Sequence, residues 1–186
     1  ALQHPSTVRL LDLGDAGEGT PFLAFELLEG VSLEQRLRGG PLPVEEATRI
    51  AVDLLGSLDE AHRSQIVHRD VKPANIFLCR EPAGLVKLLD FGVAKQSAGG
   101  GDLQKLTAEG LLVGTPAYMA PEQLGPQPVG PGTDLFALAL VLAEMVTGEA
   151  VYAGDALSIC VEKVRGVAPA FRSPRMEYVI RLGDAP

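Results

Sequence analysis

The sequence predicts an α+β fold in which a few strands at the front of the chain are followed mostly by helices. Two short β-favouring runs flank a glycine-rich turn within the first thirty residues. Apolar residues then recur at helical spacing over 44–63, and an almost continuous apolar run occupies 135–146. With 186 residues that are 46% hydrophobic and 22% charged, the chain can bury a substantial core and is too apolar to be disordered.

The front of the chain is expected to form a β-hairpin. Residues 7–12 and 21–27 are apolar and β-favouring, and the segment between them has a turn composition. Gly14, Gly17 and Gly19 superficially resemble a nucleotide-binding loop. Their place between two strands makes a hairpin turn the better interpretation.

Two helices are predicted next. Ser32 can cap a short helix through Arg38, because Gln35 completes a capping box and two glycines follow. Residues 44–63 should form a long amphipathic helix, since their apolar side chains fall on one face.

The second half of the chain alternates short strands, loops and helices. Strands are predicted over 76–79 and 85–89, and the glycine-rich stretch 96–110 is predicted to be a loop. Asp134 is expected to cap an apolar helix over 135–146, and a further helix is expected over 157–164. A helix that is apolar all round belongs in the centre of a domain.

Charge and apolar length exclude several classes of protein. The chain has 24 acidic and 16 basic side chains, a net charge of −8, which argues against binding to nucleic acid or to an anionic membrane. The longest apolar run is about twelve residues and contains Glu144, short of the ~20 needed to span a bilayer.

The two cysteines, Cys79 and Cys160, cannot form a disulfide scaffold. They are expected to be inert core residues in a protein of the reducing cytosol.

Three motifs carry the chemistry. Residues 68–75 read His-Arg-Asp-Val-Lys-Pro-Ala-Asn, which places an acid, a cation and an amide close together in a loop. Residues 90–92 read Asp-Phe-Gly directly after an apolar strand, and residues 114–122 read Gly-Thr-Pro-Ala-Tyr-Met-Ala-Pro-Glu. In this order and at this spacing, the motifs resemble the protein kinase family, specifically the eukaryotic-like (Hanks-type) serine/threonine kinases of bacteria. The resemblance runs from about His4 to Arg165.

The resemblance implies a protein-kinase-like fold, mostly the helical C-lobe with a remnant β-hairpin of the N-lobe. Residues 1–28 would be the N-lobe remnant with the hinge, 29–165 the C-lobe with its catalytic and activation loops, and 166–186 an atypical tail. The family's glycine-rich loop, strand lysine and helix glutamate find no counterpart, since the first lysine is Lys72. The domain is therefore expected to be truncated in the N-lobe and at the C-terminal helices, and the isolated chain to bind Mg-ATP weakly.

The implied activity is transfer of the ATP γ-phosphate to serine or threonine hydroxyls of proteins, a reaction catalysed mainly by positioning and charge neutralisation. By resemblance, Asp70 would accept the proton of the substrate hydroxyl, and Lys72 would steady the transferred phosphate. Asn75 and Asp90 would supply oxygen ligands to Mg²⁺, which prefers oxygen. Lys72 also favours the serine/threonine branch of the family.

Other positions match the family's nucleotide site. Residues 26–28 correspond to the hinge, where the backbone of Glu26 and Leu28 would bind adenine, with Phe25 as the gatekeeper. Phe77 would lie under the adenine ring.

The resemblance also implies structural roles for four residues. His68 would be buried near Phe91, and Asp134 would anchor the backbone of the catalytic loop. Glu122 would pair with an arginine in a late helix.

Regulation is implied as well. Arg69 beside the catalytic aspartate is typical of kinases that are activated by phosphorylation of the loop that follows Asp90. Thr107 is the best candidate for this modification, with a solvated loop residue as the alternative, whereas Thr115 is expected to support the catalytic residues. Glu109 would act as a fixed partial mimic of a second phosphorylated residue.

Several alternatives stay open. One is a catalytically inactive kinase fragment or pseudokinase that serves as a binding module, and another is a small-molecule phosphotransferase. A glycosidase pair of Asp70 and Asp90 lacks sugar-binding aromatic residues, and His62 with His68 lacks a metal-ligand set. The expected partners are ATP and protein substrates, and the expected location is the cytoplasm. A longer parent could dimerise, or be anchored to a membrane, through a region that is not in this chain.

Overall fold

The computed structural model describes residues 2–15, 17, 20–91 and 116–166. The predicted loop over 96–110, which contains Thr107 and Glu109, lies outside the described residues, as does Thr115. The elements, in chain order, are β1 (Leu10–Asp15), β2 (Pro21–Phe25), β3 (Gly30–Ser32), α1 (Leu33–Leu37), α2 (Val44–Arg63), β4 (Ile76–Cys79), β5 (Val86–Leu88), α3 (Pro131–Thr147) and α4 (Ala156–Val164). Short 3₁₀ turns occupy Pro73–Asn75 and Pro121–Leu124.

The first two strands form the predicted hairpin, with Leu13 opposite Leu23 in an antiparallel pair. Strand β1 begins at Leu10, however, three residues later than the apolar pattern predicts. The reason is tertiary, since residues 6–8 run along β5 instead. There, the Val8 N–H donates to the Leu88 carbonyl oxygen (3.1 Å), and the Leu88 N–H donates to the Ser6 carbonyl oxygen (2.7 Å).

A second, three-stranded antiparallel sheet has the order β3-β4-β5. Glycine is needed at position 30 because its φ is +157° and an added Cβ would collide with the Leu78 carbonyl oxygen. The predicted strand 85–89 is one residue shorter at each end.

Helix α1 begins as the sequence predicts. The Ser32 hydroxyl accepts from the Gln35 N–H, and the Ser32 N–H donates to the Gln35 side-chain oxygen, both at 3.1 Å. This reciprocal pair is a capping box, which satisfies two donors that the helix itself leaves without acceptors.

Helix α2 has the predicted bounds and packs its apolar face against α3. The two helices and the second sheet enclose the main core. Its fully buried members include Leu33, Ile50, Leu54, Leu58, Ile76, Val86, Leu88, Val141 and Met145. This core supports the loop between α2 and β4, which carries the motif at residues 68–75.

The prediction that Asp134 caps α3 is wrong. The helix begins at Pro131 with Gly130 as the capping residue, so Asp134 is the fourth helical residue. Proline suits this first position because an N–H there would have no acceptor within the helix. The Thr133 hydroxyl accepts from the Gly130 N–H at 3.2 Å. The predicted end of the helix at Gly148 is confirmed, with a left-handed φ of +80°.

Helix α4 starts one residue before its predicted position, with the Asp155 side chain accepting from the Ser158 N–H at 3.0 Å. Cys79 and Cys160 are free and buried, and burial raises the pKa of both thiols, as expected for unreactive core residues. In the parts of the chain that the structure describes, no helix has the length and apolar character needed to cross a membrane.

Candidate functional site

In the loop at 68–75, the side chains of Lys72 and Asn75 both contact the carboxylate of Asp70. The Lys72 ammonium donates to Asp70 Oδ2 at 2.9 Å, and the Asn75 amide nitrogen donates to the same oxygen at 3.0 Å. The Asn75 amide nitrogen also donates to the Asp70 carbonyl oxygen at 2.9 Å. Asp70 and Lys72 keep 25% and 22% of their side chains exposed, so the cluster is accessible from solvent.

The Asp134 side chain of α3 binds the backbone of this loop. Its carboxylate is fully buried, and its two oxygens accept from the main-chain N–H groups of His68 (2.8 Å) and Arg69 (2.7 Å). Arg69 needs this support because its φ of +66° lies in the left-handed region, which costs a non-glycine residue about 1–3 kcal/mol. The buried carboxylate therefore stabilises the turn that presents Asp70.

His62, considered from the sequence as a metal ligand, instead places its Nε2 atom 2.7 Å from Asp134 Oδ2. Among residues 2–15, 17, 20–91 and 116–166, no group of three or more histidine, cysteine or acidic side chains could hold a metal ion.

His68 connects the loop at residues 68–75, called the catalytic-type loop below, to the segment that contains Asp90. The imidazole is fully buried, accepts from the Asp70 N–H through Nδ1 (3.2 Å) and donates through Nε2 to the Leu89 carbonyl oxygen (2.7 Å). This pairing requires the neutral ring, and burial accordingly lowers the pKa of His68. The ring centroid of Phe91 lies 4.7 Å away, a proximity that the family resemblance implies.

Asp90 lies just beyond β5 and is exposed, with a φ of +54°. Its position relative to Asn75 is fixed through the preceding residue, because the Leu89 N–H donates to the Asn75 carbonyl oxygen at 2.8 Å. The Asn75 amide nitrogen faces Asp70, so the amide oxygen is the atom that would face a cation. An oxygen from this amide and the Asp90 carboxylate are the donor types that Mg²⁺ prefers.

The region predicted to be the hinge follows β2. Glu26 directs its carboxylate away from solvent to the Lys87 ammonium (2.6 Å) and the Arg9 N–H (2.8 Å). Burial opposes ionisation of Glu26, but these partners outweigh it and lower its pKa. The backbone predicted to contact adenine continues through Leu28, which is half-buried, and the half-buried Phe77 faces Ser32 and Lys87 across the sheet.

Lys87 is a residue that the sequence reasoning missed. It is 7% exposed, and its ammonium also donates to the Thr7 carbonyl oxygen at 3.2 Å. Lys87 thus links the residues before β1, the start of the hinge and strand β5. The available signal was a lysine between valine and leucine in a short, otherwise apolar strand.

The segment from Pro116 to Leu124 packs beside the catalytic-type loop. The Tyr118 hydroxyl donates to Glu144 at 2.5 Å, and burial raises the pKa of both groups. Gln123 was also missed from the sequence: its side-chain oxygen accepts from the Ala120 N–H (2.9 Å), and its nitrogen donates to the Arg69 carbonyl oxygen (2.8 Å). This amide ties the segment to the strained residue beside Asp70.

Glu122 accepts from the Thr133 hydroxyl at 2.6 Å. Across the described ranges, no arginine forms an ion pair with it. The predicted arginine partner in a late helix therefore stays a prediction, as does the regulatory contact of Arg69.

Comparison with known proteins gives a consistent result. A family model described as "Protein kinase domain" matches residues 1–176. The chain is 39% identical over 150 residues to serine/threonine-protein kinase pkn3 of Myxococcus xanthus, covering 79% of this chain and 27% of that protein. It is 36% identical over 170 residues to PknB of Mycobacterium leprae (89% of this chain, 26% of that protein) and to PknL of Mycobacterium tuberculosis (90% and 41%).

A similar solved structure is the crystal structure of a mutant form of the PknI kinase domain of Mycobacterium tuberculosis. The match has a TM-score of 0.63 and 28% sequence identity, and it covers 82% of this chain and 54% of that one. The chain thus spans between about a quarter and two fifths of the length of the three curated relatives.

Proposed function

The chain belongs to the protein kinase family, and from this premise we propose that it carries the catalytic loop of a serine/threonine kinase that phosphorylates proteins with ATP. The observation that carries the proposal is the convergence of Lys72 and Asn75 on the Asp70 carboxylate. Phosphoryl transfer needs positioning and charge neutralisation more than covalent chemistry, and this cluster is built for both.

Asp70 orients the hydroxyl of a protein substrate and accepts its proton. Two donors on Oδ2 hold the carboxylate in one orientation, so it does not have to reorganise when the hydroxyl arrives. Lys72 has three N–H donors and gives one to Asp70, so it can also contact an oxygen of the transferred phosphate. Lys72 therefore stabilises the negative charge that develops on the transferred phosphate, close to Asp70, which removes the proton.

Asn75 and Asp90 would hold Mg²⁺ through the amide oxygen and the carboxylate. When bound, the ion neutralises charge on the phosphates of ATP. Two protein ligands suffice in such a site because Mg²⁺ usually takes its other oxygens from phosphates and water. The backbone of Glu26 and Leu28, beside Phe25 and Phe77, would receive the adenine.

The separation of the two sheets supports the proposed division of the chain. Strands β1 and β2 form their own sheet, and Gly30 begins the second sheet just after the hinge. We assign residues 1–28 to the N-lobe side, 29–165 to the C-lobe and 166–186 to a tail. Because ATP is an intracellular metabolite, we propose a cytoplasmic location for this domain.

Regulation by phosphorylation is a further part of the proposal. Arg69 is half-buried beside Asp70, and its guanidinium would pair with a phosphate on Thr107. Thr115 would support Asp70 and Lys72.

The test is Asp70→Asn in the natural protein that contains this chain, with transfer of labelled γ-phosphate to a protein rich in serine and threonine as the readout. The variant keeps the shape of the side chain but cannot accept the proton, so we expect kcat to fall by about 10²–10⁴-fold. Asp59→Asn, which alters an exposed carboxylate on α2, is the matched control. Equal activity of the two variants would refute the proposal.

A further inference from the structure

Helix α4 carries a lysine that is buried beneath the segment beside the catalytic loop. Lys163 is 2% exposed. Its ammonium donates to the main-chain carbonyl oxygens of Pro116 (2.8 Å), Ala117 (2.7 Å) and Met119 (2.6 Å). An ammonium has three N–H groups, so these three carbonyls use its full donor capacity.

Two aromatic rings complete the surroundings of this cation. Its nitrogen lies 4.4 Å from the ring centroid of Tyr152 and 5.5 Å from that of Phe136, both within the range of cation–π attraction. Within the described part of the chain, no carboxylate forms an ion pair with Lys163. Burial lowers its pKa to about 8.

Burying a cation without a carboxylate partner costs desolvation free energy, which well-placed hydrogen bonds must offset. Here the charge faces carbonyl dipoles from a stretch that is neither helix nor strand. Carbonyl oxygens on nearby residues that point to one side repel each other, and a central cation turns this repulsion into attraction. The path of residues 116–119 therefore depends on Lys163.

The same segment is tied to the catalytic loop on its other side. Tyr118 binds Glu144 of α3, and Gln123 links Ala120 to the Arg69 carbonyl oxygen. Lys163 thus fixes one side of a short segment whose other side is attached to the residue next to Asp70.

We propose that Lys163 is a positioning residue for the protein substrate, because it fixes the main chain of residues 116–119 as a platform on which the substrate peptide lies. The inference rests on the proposed function, since the platform serves a substrate only if Asp70 acts on a protein hydroxyl. It adds a residue on α4 that sets affinity for the peptide and leaves the affinity for ATP unchanged.

The sequence contains a signal for this residue. Ile159, Cys160 and Lys163 are the buried positions of α4, so the lysine falls on the apolar face of an amphipathic helix. Its neighbour Glu162 is exposed and provides a matched control on the same helix.

The test compares Lys163→Met, Lys163→Arg and Glu162→Gln in the natural protein that contains this chain. Methionine keeps much of the volume but leaves the three carbonyls without a donor. We expect the KM for a peptide substrate to rise about tenfold or more, while the KM for ATP stays within about twofold. Arginine keeps a cation and several donors, so its peptide KM should be clearly closer to wild type, and Glu162→Gln should not differ from wild type.

A second arm measures amide hydrogen exchange in the 186-residue chain itself and does not depend on activity. In Lys163→Met, the amides of residues 116–124 should lose protection, whereas those of α2 should keep it. Unchanged protection in the 116–124 segment would overturn the positioning role even if no phosphate transfer is detected.

The two proposals fail in different ways. If Asp70→Asn abolishes activity but Lys163→Met leaves the peptide KM unchanged, or lowers kcat and raises both KM values together, only the inference about Lys163 is wrong. If Lys163→Met does not fold, Tyr152→Leu replaces it: loss of one ring should raise the peptide KM by about twofold to fivefold. An unchanged peptide KM in that variant would also overturn the proposal.

Discussion

Asp134→Asn provides a sharp test of how the catalytic-type loop is held. The carboxylate accepts from His68 N–H and His62 at Oδ2 and from Arg69 N–H at Oδ1, and it is fully buried. An asparagine has the same shape but only one acceptor oxygen. In either orientation its NH₂ group therefore faces a main-chain N–H at 2.7–2.8 Å.

The magnitude follows from this donor–donor contact. One buried N–H without an acceptor costs about 1–3 kcal/mol, and a hydrogen bond to a charged acceptor is replaced by one to a neutral acceptor at the other N–H. His62 can adapt by changing its tautomer. We therefore expect Asp134→Asn to lower the free energy of unfolding by about 2–4 kcal/mol, a large share of the roughly 5–15 kcal/mol that is typical of a domain.

The assay is equilibrium unfolding in urea, together with amide exchange at His68 and Arg69, which should accelerate in the variant. Asp59→Asn is the control, because its carboxylate is 56% exposed and pairs with Arg63 on the surface. Such a pair contributes at most about 1 kcal/mol. If Asp134→Asn unfolds at the same urea concentration as Asp59→Asn, the buried carboxylate does not hold the loop as we argue.

Two further predictions concern buried polar groups. Lys87→Met should raise the KM for ATP by about threefold to tenfold, because Glu26 at the start of the hinge loses its 2.6 Å partner. The peptide KM should stay near wild type. Equal effects on both KM values would contradict this reasoning. Burial, reinforced by nearby Glu34, raises the pKa of Glu144 above the ordinary 4.5 despite the hydrogen bond from Tyr118. The folded state then binds this proton more tightly than the unfolded state, so Glu144 contributes stability that is present below about pH 4.5 and lost as the pH rises through the folded pKa. Urea unfolding from about pH 4 to 7 should show this fall in wild type relative to Glu144→Gln, and parallel pH profiles would exclude it.

Local features were predictable from the sequence because the interacting residues are near neighbours in the chain. The capping box of Ser32 and Gln35 spans four residues, and the bounds of α2 follow from its apolar spacing. Asp70, Lys72 and Asn75 lie within six residues, so any tight loop brings them close together. The sequence thus predicted both the α+β fold and the cluster at the centre of the candidate site.

Local sequence patterns left open which distant residue each buried polar group would meet, and the tertiary structure decided it. Helical periodicity can place Lys163 on a buried face, but the carbonyls that receive it lie 44–47 residues earlier in the chain. Local capping rules assigned Asp134 to the start of a helix, and only the family resemblance implied a contact with the catalytic loop. In the structure its buried carboxylate accepts from the main chain at His68 and Arg69, 65–66 residues away. A buried charge must find donors or acceptors wherever the fold supplies them, and periodicity specifies the face that is buried without specifying its partner.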